Sequence, residues 1–269
     1  MSSPALRIFS YLPNPRVMKA LIAARLCGLD VRVDGAPPAE LATWLWDADA
    51  RPLAAHERTE DSPWARPAQR GFGGTLYKTD AFLRAQPFGT VPAAFSPDGR
   101  VGIFESNSIL RAVARRGAQA RPLYGNDDYE ASRIDAFLDA GLVFAREAQV
   151  YLLGIDTLSA ESRARMAAAY TFHLGGIESA LANGEGFIAG TALSIADIAF
   201  VCDLGQFLRE GQSRAALARQ GFEPISDGGP ERYPRAYAHM LALAATDDFA
   251  AVLGGYLDGY RRALVARNP

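Results

Sequence analysis

Leu6-Arg7-Ile8-Phe9-Ser10-Tyr11 alternates apolar and polar side chains, the two-residue period of a strand with one buried face. Pro13-Asn14-Pro15 breaks the run. Arg16 to Leu26 is then rich in alanine and leucine, both good helix formers, until Gly28 stops it. Val31-Arg32-Val33 reads as a second short strand, so the chain opens strand–helix–strand with a right-handed crossover expected. Tyr77 to Ala85 reads as a helix, and Gln86-Pro87-Phe88-Gly89 as the turn after it. Thr90-Val91-Pro92-Ala93-Ala94-Phe95 and Gly102-Ile103-Phe104 flank the turn Pro97-Asp98-Gly99-Arg100 and read as a hairpin. Proline cannot donate to a sheet ladder, so Pro92 either opens an edge-type strand or sits in a special turn with a cis Val91–Pro92 bond. A helix over Asn107 to Arg116 follows.

From Ala118 to Tyr124 the chain is irregular and reads as a linker. Beyond it apolar residues recur at helical spacing, over Tyr129–Gly154, Ala160–Asn183, Ile195–Arg209, Pro234–Leu243 and Asp247–Val265. Ser194 stands as an N-cap with Asp197 in the capping-box position, a folding role without chemistry. Phe137, Phe144, Tyr151 and Leu152 share a helical face; core packing explains them more simply than a ligand wall.

One stretch fits no short connection. Residues from about Asp34 to Gly74 carry Trp44, Trp46 and Trp64, paired prolines and the charges Glu57, Arg58, Glu60 and Asp61. Connections this long are rarely structureless in a compact domain. A solvated surface held by aromatic anchors is expected, serving as a lid or as an arm onto a partner.

Composition narrows the classes. The 269 residues are 49% hydrophobic and 22% charged with a net charge of −2, a globular profile without the basic footprint of nucleic-acid or anionic-membrane binding. Met1-Ser2-Ser3-Pro4 lacks the charged start of a secretory signal, no apolar run is long enough to span a bilayer, and a cytoplasmic protein is expected. Cys27 and Cys202 read as buried thiols, and His56, His173 and His239 are too scattered for a metal site.

Glu105-Ser106 places a carboxylate, a hydroxyl and uncapped helix N–H groups at one point, able to hold the charged end of a small ligand. With Val91-Pro92 ahead of it, this pairing resembles the glutathione-binding half of glutathione transferases. The resemblance implies an α/β thioredoxin-like N-terminal domain over residues 1–117, with an insertion at about 36–74, and an all-α helical bundle over 125–269. It implies that Val91 pairs its backbone with the cysteinyl part of glutathione beside Pro92. Glu105 and Ser106 hold the γ-glutamyl end. Asn14-Pro15-Arg16-x-x-Lys19-Ala20, Pro87-Phe88-Gly89-Thr90-Val91-Pro92 and Ile103-Phe104-Glu105-Ser106-Asn107 look most like the transferase module of elongation factor 1-gamma. Thr90 departs from the lysine common there, and the long insertion is absent from its usual members.

Glutathione as co-substrate demands a donor to its sulfur, because a free thiol near pKa 8.5 is only a few per cent ionised at neutral pH. The first turn offers Asn14, the natural cap of the helix, and Tyr11, with Arg16 adding positive charge. Asn14 is preferred, by likeness to transferases with an asparagine in a Pro-Asn turn. The expected activity is thiolate attack on an apolar electrophile in a cleft between the domains: conjugation, or displacement as in aryl-ether cleavage. A non-catalytic transferase-like binding or assembly module is the alternative. The resemblance also implies a dimer, homomeric or heteromeric. A disulfide reductase would need a cysteine in the first turn, where there is none.

Overall fold

The computed structural model describes residues 4–68 and 72–267, with side chains as far as 260. The chain divides into two compact units, Met1–Arg121 and Pro122–Pro269.

In the N-terminal unit β1 (Leu6–Tyr11) leads through α1 (Pro15–Leu26) to β2 (Val31–Ala36), which runs parallel to β1 with Leu6 beside Val31. β2 continues three residues beyond the Val31-Arg32-Val33 strand read from the sequence. Gly35 permits this: a Cβ there would stand 1.9 Å from the Ser10 carbonyl oxygen.

The long connection then builds a second sheet. β3 (Trp44–Trp46), β4 (Arg51–Pro52), β5 (Ala65–Pro67) and β6 (Thr75–Lys78) assemble in the order β4-β3-β6-β5. Trp46 is fully buried, its indole N–H donating to the Leu41 carbonyl at 3.0 Å. Its ring meets Phe9, Phe72 and Phe82 edge-on at 5.4–5.9 Å. The insertion therefore shares one core with β1 instead of resting on the surface by a few anchors. The helix expected from Tyr77 starts later, at α2 (Asp80–Ala85). Tyr77 and Lys78 pair in β6, and Thr79 sets the boundary as N-cap, accepting from Phe82 N at 2.9 Å. Residues 69–71 of the insertion lie outside the described residues.

β7 (Ala93–Phe95) and β8 (Gly102–Phe104) form the hairpin, and α3 (Ser106–Arg116) follows it. The Val91–Pro92 bond is cis and precedes β7, which lies between β1 and β8, so Pro92 sits in a special turn and does not open an edge-type strand. The first sheet has the order β2-β1-β7-β8 with α1 against α3.

The C-terminal unit is helical: α4 (Asp128–Leu153), α5 (Ala160–Ala182), α6 (Ile195–Phe207), α7 (Arg214–Arg219), α8 (Gly229–Arg232), α9 (Pro234–Ala244) and α10 (Asp247–Arg267). α6 is buried almost throughout and packs on α4. Ser194 caps it as its spacing predicts: Asp197 accepts from Ser194 N at 2.9 Å and also from Ile188 N at 3.0 Å. α6 ends at Phe207, two residues short of the expected Arg209, and a 3-10 turn follows over Leu208–Ser213. Phe144 and Tyr151 lie in the core against Phe207. Among the described residues no single helix is long and apolar enough to cross a membrane.

Candidate functional site

Three segments of the first unit reach one edge of its sheet. Phe9 pairs with Ala93 and Ala93 with Phe104, both antiparallel. Carried onward, these registers set Val91 level with Tyr11 on one side and with Ser106 on the other. The sequence candidates from separate stretches thus converge.

The first turn is tightly wired. Leu12–Pro13 is cis, and Asn14 is buried at the head of α1. Its side-chain oxygen accepts from Arg16 N at 2.9 Å, and its backbone carbonyl accepts from Val17 and Met18. Its amide donates to Ser10 Oγ at 3.0 Å. A primary amide has two N–H donors, so one is left for a ligand. Tyr11 and Arg16 are half-buried on either side.

The loop before β7 is held from beneath. Gln86 is buried and donates to both the carbonyl and the hydroxyl of Thr90, at 2.9 and 2.8 Å, while its own oxygen accepts from Phe88 N. Lys78 reaches the Gly89 carbonyl at 2.8 Å and lies 4.7 Å from the Trp46 ring centroid. Burial lowers its pKa from the usual lysine value. Thr90 is exposed, Val91 half-buried and Pro92 buried. Among the described residues no backbone hydrogen bond is taken by the N–H or C=O of Val91, which lies in the bend just before β7.

Opposite that bend, Glu105 has φ of 66°, the one positive value outside glycine among the described residues. Such a conformation costs about 1–3 kcal/mol and collects at ligand sites. Glu105 is exposed and its side chain makes no cap to α3, so the helix presents its first N–H groups with Ser106 beside them. Lys19, buried, donates to Asn107 Oδ1 at 3.0 Å and ties α1 to α3 behind the site.

Sequence reasoning missed Lys78, Gln86, Ser10 and Lys19. Lys78 was hidden because its stretch reads as helix. Its ammonium is held on the carbonyl of Gly89, the residue before Thr90. Gln86 read only as turn, although a buried amide two residues before a Phe-Gly corner is a signal for a wired loop. Among the described residues no His, Cys, Asp and Glu cluster could hold a metal ion.

No family model matches the chain. Elongation factor 1-gamma 2 of Oryza sativa subsp. japonica is 34% identical over 142 residues, 49% of this chain and 31% of its own length. The chain thus spans about a third of the curated relatives it matches first. A glutathione S-transferase-like protein, FUS3, of Gibberella moniliformis is 25% identical over 92% of this chain and 91% of its own. Among solved structures, a glutathione S-transferase of Methylobacillus flagellatus with glutathione bound superposes with a TM-score of 0.61 at 15% identity, covering 92% and 98% of the two chains. Ure2p in complex with glutathione gives 0.61 at 17% identity over 94% of each. The architecture is that of glutathione transferases, and the sequence likeness extends to elongation factor 1-gamma.

Proposed function

We propose that this chain, a glutathione transferase by fold, binds glutathione along the Val91 backbone and uses its thiolate against an apolar electrophile. The observation that carries the reading is the convergence itself: an unpaired backbone at Val91, level with a strained, uncapped helix start at Glu105-Ser106. A peptide-like ligand would extend the sheet at Val91 by two backbone hydrogen bonds. Its α-carboxylate would lie at the Ser106 hydroxyl and the N-terminus of α3, and its ammonium at Glu105. The neighbouring structures crystallised with glutathione support that choice of ligand.

The sulfur then lies toward the first turn, where the spare Asn14 N–H or the Tyr11 hydroxyl donates to it. The chemistry is a displacement. The thiolate lone pair forms a carbon–sulfur bond as the leaving group departs with its electron pair, a halide from an aryl halide or an aryl oxide from an aryl ether. The aryl oxide takes its proton from solvent.

A second reading, a transferase-fold module that binds or assembles without turnover, is favoured by one feature. Asn14 is buried and already engaged by Ser10, Arg16, Val17 and Met18. In either reading we infer a dimer, supported by exposed Val143, Val150 and Leu153 on α4 and Phe172 on α5.

Calorimetric titration with glutathione, alongside conjugation of an aryl dinitrohalide, separates the readings. Binding with turnover is expected for the enzyme, and binding alone for the module. Ser106→Ala should weaken glutathione about tenfold, as loss of a charge-assisted hydrogen bond would. Undetectable binding by the wild-type chain at millimolar glutathione would sink both.

A further inference from the structure

Lysine is scarce in this chain. Of its 28 basic side chains only Lys19 and Lys78 are lysines, and the rest are arginines. Both lysines are buried. An arginine keeps its charge at every accessible pH, whereas a lysine releases its proton where burial penalises the ammonium.

Lys78 is the one that the inserted sheet supplies. In β6 it stands beside Trp46 of β3. Its ammonium lies between the Trp46 ring, 4.7 Å from the centroid, and the Gly89 carbonyl, to which it donates at 2.8 Å. Gly89 adopts a φ of 59°, and a Cβ there would stand 3.2 Å from Lys78 Nζ. The glycine thus lets the ammonium come up close beneath the loop. Gln86 holds the next carbonyl, that of Thr90, and Val91 follows. Two grips therefore fix the backbone just ahead of Val91, and one of them carries a proton that can leave.

No carboxylate pairs with Lys78 among the described residues. Asp80, at the start of α2, is taken by Arg66 of β5 at 2.9 Å, and Arg84 on the same helix is exposed. Asp47, after β3, accepts from Ala48 N, and Glu40 on the 3-10 turn Pro38–Thr43 is exposed. Tyr77 packs on the other face of the sheet with Leu45 and Leu53. The loop brings only neutral groups, from Gln86, Gly89 and Thr90. Burial without a counter-charge is what lowers the pKa of Lys78.

We propose that Lys78 is a positioning residue of the glutathione site: its ammonium, delivered by the inserted sheet, fixes the Gly89 carbonyl and through it the Val91 backbone, so that the ligand is held firmly only while Lys78 keeps its proton. This rests on the glutathione reading.

Titration of the full chain with S-methylglutathione, whose sulfur cannot ionise, tests it from neutral pH upward. Isotope-labelled lysine gives two side-chain signals, so the protonation of Lys78 is followed by NMR in the same samples. Affinity should be complete below the folded pKa of Lys78 and fall as pH rises through it. Lys78→Met keeps an unbranched stem against Trp46 and removes the charge. It should bind about tenfold more weakly at neutral pH and lose that step, with its urea midpoint unchanged or raised. The ligand's own amine titrates alike with both chains. If the variant does not fold, the coincidence of the two wild-type titrations decides. A folded Lys78→Met chain that binds like the wild type overturns the positioning role. So does wild-type affinity that holds steady while Lys78 titrates, or affinity lost only in proportion to stability. No binding by the wild-type chain at any pH sinks the glutathione reading and this inference with it.

Discussion

Asn14 carries two structural duties that compete with a chemical one. Its oxygen caps α1 and its amide braces Ser10. Asn14→Ala is expected to destabilise the chain by about 1 kcal/mol through loss of the cap, read from urea unfolding. If its spare N–H also holds the sulfur, kcat for conjugation falls at least tenfold while the Kd for glutathione barely moves. Tyr11→Phe is the counterpart, removing the hydroxyl and keeping the ring. Whichever variant raises the pKa of bound glutathione, followed by thiolate absorbance, identifies the sulfur donor; a flat response in both variants speaks for the non-catalytic module. Charge at a single residue is also testable. Glu57 sits in the insertion with its pKa lowered to about 2, first by the Arg51 hydrogen bond and then by Ala54 N–H. A depressed carboxylate stabilises the fold above its unfolded pKa, and that contribution disappears as pH falls toward about 2. Arg51→Ala should return the Glu57 titration toward the ordinary carboxylate range in carbon-detected NMR.

At the scale of elements, the strands and helices that alternate or repeat strongly were legible. β1, α1, the β7–β8 hairpin and the cap of α6 follow from period, proline and capping chemistry. The candidate site was legible only as separate pieces: Asn14, Val91 and Glu105-Ser106 each carry local signals. Their convergence depends on strand register, which no local signal records. The second sheet was not legible, because its strands are two to four residues long and too short to show a period. Tyr77-Lys78 was absorbed into the helix that Thr79 actually starts. Trp46→Ala tests how far that sheet matters. Loss of a fully buried indole should cost about 3–5 kcal/mol. It also removes the ring over Lys78, so the grip on Gly89 should loosen and glutathione affinity fall with stability. Unchanged affinity in a folded Trp46→Ala chain would disconnect the inserted sheet from the loop.

For the molecule as a whole, buried phenols set an alkaline limit. Burial raises Tyr170 to about 12, and raises Tyr151 and Tyr237 further, with Glu210 adding to the effect at Tyr151. A folded pKa above the unfolded one gives stability that is complete below about pH 10 and lost as pH rises through the folded value. Ultraviolet titration should therefore show these phenols resisting ionisation and then ionising together as the chain unfolds. Gradual titration with the native circular dichroism intact would contradict their burial.

The inserted sheet has a consequence for anyone shortening this protein. By length alone, residues 36–74 look like an appendage to trim toward an ordinary transferase. Trp46 and Leu76 close over Phe9 and Phe95, however, so excision would turn that aromatic face to water. A minimised chain joined across the gap would be aggregation-prone unless new apolar cover were designed in.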